Sequence, residues 1–370
     1  MGMYKSQTTP ASGLNGWGWN RYFEEQWQAL LAEGAVEGLV RARVSGLAAG
    51  ICRVVLEQGE EILVDTAGTL RGNRERAVVG DWALIRRDGE RGLLVRLLTR
   101  RTSLSRRDPA GGEQVLASNL DTALLMTSLN QELNLRRLER YFTLTAGSGV
   151  TPVVLLSKLD LVDNSAEALK SVQAIAPGVP VLSISAEQGL GLEALEAWLT
   201  PGQTAVLLGS SGVGKSTLVN RLLGEERLAT APVREHDDRG RHTTTGRHLL
   251  RLPGGALLID TPGLRELLPW AGEAGLALAF SEIGELAPQC RFRDCKHQGE
   301  PGCAVQAEVD AGKLDAARLE NYHRLGRELE YEATRGDKAA EAKYRRAQKR
   351  LHGSYAQIQA ASRKRKGGGK

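Results

Sequence analysis

The fold is decided by the stretch Gly209-Ser210-Ser211-Gly212-Val213-Gly214-Lys215-Ser216, which matches the pattern G-x-x-x-x-G-K-[S/T]. It follows an apolar segment at 205–208 and precedes a helical pattern that begins at Thr217. A glycine-rich turn between a strand and a helix directs backbone N–H groups onto phosphate oxygens. In this pattern the lysine reaches the β- and γ-phosphates, and the final hydroxyl ligates Mg²⁺. The stretch, together with Thr217, therefore predicts a nucleoside triphosphate site in an α/β domain.

Two segments upstream of this loop indicate which base is bound. Ser157-Lys158-Leu159-Asp160 follows a predicted strand at 152–156 and is similar to the [N/T]-K-x-D pattern of guanine sites. In such sites the carboxylate accepts hydrogen bonds from two guanine donors that adenine does not present. Ser185-Ala186 follows the next predicted strand, at 179–182, and is similar to the loop whose backbone N–H contacts guanine O6. Taken alone, the first segment is also compatible with an ordinary loop at a strand end.

The order of the motifs along the chain is unusual. Asp260-Thr-Pro-Gly263 ends an apolar segment at 256–259, as the D-x-x-G motif at Mg²⁺ and the γ-phosphate should. Residues 241–245 read Arg-His-Thr-Thr-Thr and include a switch-type threonine, Thr244. Both base-reading segments precede the phosphate loop, whereas in an ordinary GTPase they follow it. The order predicts a circularly permuted GTPase, which a domain tolerates where its original termini lie close together on the surface.

Upstream of residue 107 the chain carries short apolar segments separated by glycines, a pattern typical of β-strands. They lie at 39–44, 51–56, 62–64, 78–85 and 93–98. This spacing favours a small barrel, with an OB-fold as the leading candidate. The segment is rich in arginine, and Trp82 is its only aromatic residue. If the barrel binds RNA, we expect arginine–phosphate contacts rather than base stacking; a purely structural barrel is the alternative.

A cysteine and histidine cluster lies downstream of the GTPase motifs. Its spacing is Cys290-x4-Cys295-x-His297-x5-Cys303, which offers three thiolates and one imidazole. Four protein ligands at this spacing predict one structural Zn²⁺ per chain, because a catalytic zinc would keep a position open. Buried free cysteines are the alternative, but the surrounding glycines and proline make the loop too polar to bury thiols.

The charge distribution points to a polyanionic partner. The 370-residue chain has a formal net charge of +5, yet residues 343–370 alone contain ten Lys or Arg and no acid. Such a tail suggests nucleic acid binding, and a merely solubilising tail is the alternative. No apolar run approaches the ~18 residues that a membrane span needs. Four cysteines, three of them clustered, favour a metal site in a reducing compartment, and we expect a cytoplasmic protein without a membrane partner.

These observations predict a multidomain protein: an N-terminal OB-like β-barrel, a central α/β circularly permuted P-loop GTPase domain and a C-terminal α-helical zinc-binding domain. The predicted segments are an N-terminal extension (1–35), the RNA-binding barrel (36–107), the GTPase domain (108–275), the zinc-binding helical domain (276–345) and a basic tail (346–370).

The arginine-rich barrel, the permuted motif order, the phrase Gly240-Arg-His-Thr-Thr-Thr245 and the Cys/His cluster together resemble the ribosome small subunit-dependent GTPase A family over about residues 36–360. The resemblance implies a GTPase of late small-subunit assembly that binds the immature subunit near its decoding region and leaves after GTP hydrolysis. It implies GTP or GDP with Mg²⁺, zinc on the same four ligands, and the small ribosomal subunit and its rRNA as partners. We expect a monomer. Ser157 stands where the family usually has Asn, so we expect altered nucleotide affinity.

The catalytic group is identified by elimination. Leu264 follows the D-x-x-G motif, where Ras-like enzymes carry the glutamine that orients water. His242, beside the switch threonines, is then the candidate that places or polarises water, and the resemblance points the same way. Lys215 and Thr244 complete the predicted catalytic set, and a switch histidine without a catalytic role is the alternative.

Two other functions compete with a ribosome-stimulated GTPase. In one, GTP is an ordering ligand for an rRNA-binding checkpoint clamp with negligible turnover. The other, an ATP-driven nucleic-acid enzyme, is disfavoured by Asp160 and by the absence of helicase-like motifs.

Overall fold

The structure is a computed structural model that describes residues 13–48, 51–66, 76–107, 113–130, 133–225, 247–260 and 272–334. Two compact units are present. The first extends to Glu285 except for residues 107–114, and the second holds those residues and the chain from Leu286 onward. The predicted OB-like barrel and the α/β fold both lie in the first unit; the division of the chain at residues 35, 107, 275 and 345 stays a prediction.

Five short strands form the barrel. They are β1 (Val40–Ala48), β2 (Ile51–Leu56), β3 (Glu61–Thr66), β4 (Trp82–Asp88) and β5 (Arg91–Leu97). Their order is β1-β2-β3-β5-β4, and the pairing of β4 with β1 closes the barrel. Alternate side chains such as Val44, Val54 and Ile85 point inward and fill its core. The OB-like barrel predicted from the sequence is confirmed.

The fourth strand begins later than the apolar segment at 78–85 predicts. Residues 78–81 form a turn instead, in which the Asp81 carboxylate accepts a hydrogen bond from the Val78 N–H at 2.8 Å. Gly80 has φ 97° in this turn, and a Cβ there would lie 2.1 Å from the Ser118 carbonyl oxygen. Only glycine fits so close to another backbone, so the turn displaces the start of the strand to Trp82.

The N-terminal segment covers one outer face of the barrel. Helix α1 (Arg21–Ala32) is capped by the Asn20 side chain, which accepts from the Tyr22 N–H. Trp19 and Phe23 pack on Trp82, and the two tryptophan rings meet edge to face at 4.8 Å. Trp82 is thereby 0% exposed.

The α/β part of the first unit is built on a mostly parallel sheet. Its strands are β8 (Thr122–Ser128), β9 (Thr151–Ser157), β10 (Val181–Ser183), β11 (Thr204–Gly209), β12 (Arg247–Arg251) and β13 (Leu257–Asp260). The order is β10-β9-β8-β11-β13-β12, with only β12 antiparallel. Its helices are α2 (Leu135–Thr145), α3 (Ala166–Ile175), α4 (Lys215–Leu223) and α5 (Gly272–Ala279). The predicted α/β alternation is confirmed.

Strand β12 joins the barrel to this sheet. Gly46 and Leu47 of β1 pair with His248 and Arg247, so that one sheet of eleven strands runs through both parts. The sequence analysis did not identify β12, because arginines at both ends leave too few apolar residues to show a strand pattern.

A buried arginine reinforces the same junction. Arg43 of β1 is 1% exposed, and its guanidinium donates to the carbonyl oxygens of Trp17 and Asn119 and to the Thr204 hydroxyl, the last at 2.9 Å. It also lies 5.4 Å from the centre of the Trp82 ring. Burial lowers the pKa of Arg43 to about 10, so the side chain is still charged at neutral pH. One cation thus links the N-terminal segment, the barrel and the start of β11.

The remaining elements are a hairpin and the C-terminal helices. Strands β6 (Ser103–Arg107) and β7 (Glu113–Ser118) form a separate two-stranded sheet. Helices α6 (Ser281–Leu286), α7 (Ala304–Asp310) and α8 (Ala316–Thr334) follow, and beyond Phe280 the described chain contains no strand, as the sequence predicts. Across the described ranges, no helix has the length and apolarity needed to cross a membrane.

Candidate nucleotide and metal sites

The predicted nucleotide motifs meet at one edge of the sheet. The parallel strands β8, β9, β10, β11 and β13 all end there, and four of them lead into motif residues that the structure describes: 157–160, 183–186, 209–216 and Asp260. The carboxyl edge of a parallel sheet is where such folds bind ligands. The sheet therefore gathers segments that are up to a hundred residues apart in the chain.

The phosphate loop is held from both ends. Gly209 ends β11, and a Cβ at this position would lie 2.6 Å from the Met126 carbonyl oxygen, so only glycine fits. Val213 anchors the middle of the loop in the core, while Gly214, with φ 95°, caps helix α4. A buried anchor beneath an exposed backbone leaves the loop N–H groups and the helix N-terminus able to receive an anion.

Three polar side chains of the loop lie at the start of α4. Lys215 donates from Nζ to the carbonyl oxygens of Gly209, at 2.8 Å, and Ser210. These bonds hold the ammonium group over the loop, where terminal phosphates are expected. Ser216 and Thr217 are half-buried in the first turn.

The two predicted base-reading segments are tied to each other. Lys158 adopts φ 61°, and the following Leu159 N–H donates to the Ile184 carbonyl oxygen at 3.1 Å. Asp160 is half-buried in the short 3₁₀ turn Leu159–Leu161, whereas Ser185 and Ala186 are buried. The backbone bond places the carboxylate-bearing turn beside the second segment, as reading one base by both requires.

Ser157 connects the base side of the site to the phosphate side. Its hydroxyl is 2.7 Å from the Val213 carbonyl oxygen in the phosphate loop and 3.1 Å from that of Thr127. The residue is 2% exposed. A hydroxyl carries one proton, so it donates to one carbonyl at a time, and Val213 is the nearer. The sequence analysis expected altered nucleotide affinity from the serine at this position; its hydroxyl reaches the phosphate loop, and the effect on affinity stays a prediction.

Asp260 is the last residue of β13 and is half-buried. Across the sheet it is paired with His248 of β12, a histidine that the sequence analysis did not identify because β12 was not predicted. The predicted site residues His242, Thr244 and Gly263, together with Leu264, lie outside the described residues.

The four predicted zinc ligands lie together in the second unit. The ligand atoms of Cys290, Cys295, His297 and Cys303 are all within 4.8 Å of one another. His297 Nδ1 lies 3.6 Å from the Cys290 sulfur and 3.5 Å from the Cys303 sulfur, and those sulfurs are 4.0 Å apart. A tetrahedral zinc requires separations of about 3.6 Å between nitrogen and sulfur and about 3.8 Å between sulfurs. The donor set and its spacing fit Zn²⁺.

Backbone geometry supports these ligands. The Ala304 and Gln306 N–H groups each donate to a ligand sulfur, of Cys290 and Cys303 respectively, at 3.4 Å. Burial alone would raise the pKa of Cys290, but hydrogen bonds from the backbone at the start of α7 and from the neighbouring thiols lower it. Burial, and then the charge of His323, lowers the pKa of His297, which favours the neutral imidazole that binds metal.

Known proteins are similar to this chain over most of its length. A family model described as RsgA GTPase matches residues 97–270. A relative from Methanosarcina acetivorans, named small ribosomal subunit biogenesis GTPase RsgA, is 44% identical over 325 residues, which cover 86% of each chain. A Streptomyces coelicolor relative of the same name is 44% identical over 345 residues, covering 92% of this chain and 93% of its own.

Solved structures show the same fold. YjeQ from Thermotoga maritima superimposes with a TM-score of 0.59 at 26% identity, over 79% of this chain and 98% of its own. YloQ, described as a circularly permuted GTPase, gives 0.57 at 22% identity, over 80% and 96%. The resemblance inferred from the motifs is confirmed by relatives that match most of the chain, and the protein belongs to the RsgA family of circularly permuted GTPases.

Proposed function

We propose that this GTPase hydrolyses GTP to GDP and phosphate under stimulation by the small ribosomal subunit, and that it acts through rRNA binding in late maturation of that subunit. The observation that carries the nucleotide part is the Ser157 hydroxyl at 2.7 Å from the Val213 carbonyl, which ties the base-reading turn to the phosphate loop. The small ribosomal subunit enters the proposal through the names of the relatives, which are small ribosomal subunit biogenesis GTPases.

Guanine selection is assigned to Asp160. Its half-buried carboxylate lies in a turn whose backbone is bonded to the segment before Ser185. A carboxylate in this position accepts from both N1 and N2 of guanine, while the Ser185 and Ala186 segment provides backbone N–H groups for O6. Lys158 and Leu159 complete the base site.

The phosphates and their metal are assigned to the ends of β11 and β13. The loop from Gly209 to Thr217 surrounds the phosphates, and Ser216 and Asp260 would hold Mg²⁺, which neutralises charge on the β- and γ-oxygens when bound. Hydroxyl and carboxylate oxygens suit this hard cation, and the direct pairing of β11 with β13 brings the two strand ends to the same edge. Gly263 contributes its backbone N–H to the γ-phosphate.

We assign hydrolysis to His242, which positions or polarises the attacking water, with Thr244 and Lys215 serving the phosphates. This assignment rests on the sequence argument that Leu264 cannot orient water. A positioned side chain of this kind contributes about 10² to 10⁴ in rate. His242→Ala should therefore lower subunit-stimulated turnover and leave GTP affinity nearly unchanged.

The barrel supports an RNA contact made through arginine and phosphate. Trp82, its one aromatic residue, is covered by the N-terminal helix and unavailable to a base. Five arginines of its strands are exposed instead: Arg53, Arg86, Arg87, Arg91 and Arg96. Exposed cations on a rigid sheet suit the charged backbone of RNA.

Multiple-turnover GTP hydrolysis, measured with and without small ribosomal subunits, tests the proposal. We expect slow basal turnover and a large increase with saturating subunits, because the subunit completes the closure of the site. The Lys215→Ala variant controls for contaminating GTPases. Tight subunit binding without any rise in turnover would instead support the GTP-ordered clamp.

A further inference from the structure

We propose that Phe292, at the tip of the loop between the ligands Cys290 and Cys295, is a stacking platform for an unpaired base of single-stranded RNA. The inference rests on the proposed function, because it gives the rRNA partner a defined contact in the second unit. Among the residues that the structure describes, Phe292 is the most exposed aromatic side chain, at 43%.

The loop that carries Phe292 is short and held from several sides. It has four residues, 291–294, and the candidate metal ligands Cys290 and Cys295 flank it. Within it, the Cys295 N–H donates to the Phe292 carbonyl oxygen at 3.3 Å, and the Arg291 N–H donates to that of Gly302 at 3.0 Å. Gly302 has φ 76°, and a Cβ there would lie 3.0 Å from the Arg291 Cβ. A ring on so constrained a loop loses little conformational entropy when it binds.

The charge around the ring selects the partner. The Arg291 guanidinium lies 5.5 Å from the ring centre, and a guanidinium on one face leaves the other to a second planar group. Arg293 and Lys296 are also exposed, against the single exposed acid Asp294 in the loop.

The nearby carboxylate of Glu300 is occupied by the backbone. It accepts from the N–H groups of Lys296, at 2.9 Å, and Gln298, at 2.6 Å. The outward charge is therefore positive. An exposed ring flanked by cations matches how proteins hold single-stranded nucleic acid, with the base on the ring and phosphates on the cations.

A duplex would not use this site, because its bases are stacked on one another. The proposal therefore assigns different RNA contacts to the two parts of the protein. The barrel would contact phosphates only, whereas Phe292 requires an unpaired base. A protein partner that buries Phe292 is the competing outcome, and the test distinguishes it by the nature of the probe.

The experiment measures binding of the full-length protein to labelled single-stranded oligoadenylate and to an RNA duplex of the same length. Phe292→Ala and Phe292→Leu should each weaken binding of oligoadenylate about 5- to 100-fold, while Phe292→Trp retains or improves it. Duplex binding should change by less than about twofold, since only phosphates are contacted there. Zinc content, measured for every variant, controls for the integrity of the loop.

The salt dependence of oligoadenylate binding distinguishes the contribution of the Phe292 ring from that of the neighbouring cations. Phe292→Ala should leave the log–log slope unchanged, whereas Arg293→Ala should reduce it by about 0.7 for a lost single-strand phosphate contact. If Phe292→Leu binds oligoadenylate like the unmodified protein, or if single-stranded and duplex RNA weaken equally, the stacking proposal is wrong. Unchanged binding of oligoadenylate by Phe292→Leu is the result expected if a protein partner, and not a base, covers Phe292.

Binding to small ribosomal subunits keeps the two proposals apart. If the unmodified protein does not bind subunits, the proposed function fails, whatever oligoadenylate shows. If it binds subunits and Phe292→Ala binds them equally well, only the assignment of Phe292 to rRNA fails.

Discussion

The Ser157 hydroxyl contacts the phosphate loop from a position where the family usually has an asparagine. The hydroxyl replaces an amide, and it still spans from the base-reading turn to the Val213 carbonyl. The difference is in capacity: an amide offers two protons, and the hydroxyl offers one to be shared between the carbonyls of Val213 and Thr127.

Removal of this hydroxyl should loosen the nucleotide site. In Ser157→Ala the buried Val213 carbonyl loses its side-chain partner, and we expect GDP to bind about 5- to 30-fold more weakly. Titration of a fluorescent guanine nucleotide measures the loss. Ser157→Asn is the matched variant and should bind at least as tightly as the unmodified protein; equal affinities for all three proteins would show that the brace contributes nothing.

Asp160 should determine which base is bound. Asp160→Asn replaces an acceptor by a donor opposite guanine N1 and N2, so GTP affinity should fall about 10- to 100-fold. Xanthosine triphosphate, which presents an acceptor at the altered position, should bind better than it does to the unmodified protein. Competition assays with GTP, xanthosine triphosphate and ATP provide the comparison, and comparable binding of ATP and GTP before mutation would contradict the assignment.

Candidate residues for the nucleotide and metal sites could be named from the sequence because each motif is local. The phosphate loop, Asp160 and the four zinc ligands are each marked by residue type and spacing within a short stretch. His248 was not predictable, because it approaches Asp260 only through the pairing of β12 with β13. The reach of the Ser157 hydroxyl likewise depends on how far apart two loops lie, which no local pattern contains.

At the scale of elements, the loop that carries the four candidate zinc ligands is short. Its ligands come from a fourteen-residue segment, 290–303, and one of them, Cys303, is also the N-cap of α7. A structural zinc site contributes its binding energy to the fold of such a segment.

We therefore expect Cys295→Ser to lose zinc and to destabilise the C-terminal helices locally, while guanine nucleotide affinity stays within about twofold, because the nucleotide motifs and the zinc ligands belong to different compact units. Elemental analysis gives the metal content, and amide exchange across 290–320 shows the local loosening. Freshly purified protein without zinc would remove the metal assignment altogether.

Element boundaries were predictable where periodicity alone decides them. Strands β9 and β11 lie within two residues of the apolar segments that predict them. The start of β4 was wrong because the apolar pair Val78 and Val79 is buried in a turn, held by Gly80 and the Asp81 carboxylate. Burial, and not strand structure, explains the hydrophobicity of that pair.

At the scale of the whole molecule, the sequence analysis places the barrel and the α/β part in two successive domains. In the structure, one sheet runs through both. Two features make the connection: the pairing of β1 with β12, and the guanidinium of Arg43. Both link residues far apart in the chain, by 202 positions for Gly46 and His248 and by 161 for Arg43 and Thr204. Sequence periodicity carries no information about partners at that separation.

Arg43→Met should destabilise the first unit strongly. The change keeps much of the apolar stem but leaves the carbonyl oxygens of Trp17 and Asn119 and the Thr204 hydroxyl without their donor. We expect a loss of at least about 2 kcal/mol in the free energy of unfolding. Denaturant unfolding measures it, and Arg53→Met, at an exposed position of the neighbouring strand, serves as the control; equal effects would contradict a specific role for the buried cation.

The hairpin of β12 and β13 holds a particular position in the chain. The switch-type threonine lies just before β12, and the D-x-x-G motif begins with the last residue of β13. On the outer edge of the same hairpin, β12 pairs with β1 of the barrel at two residue pairs. The two segments proposed to contact the γ-phosphate thus adjoin the same end of one hairpin. A movement of either segment on loss of the phosphate would therefore reach the barrel through the pairing of β12 with β1.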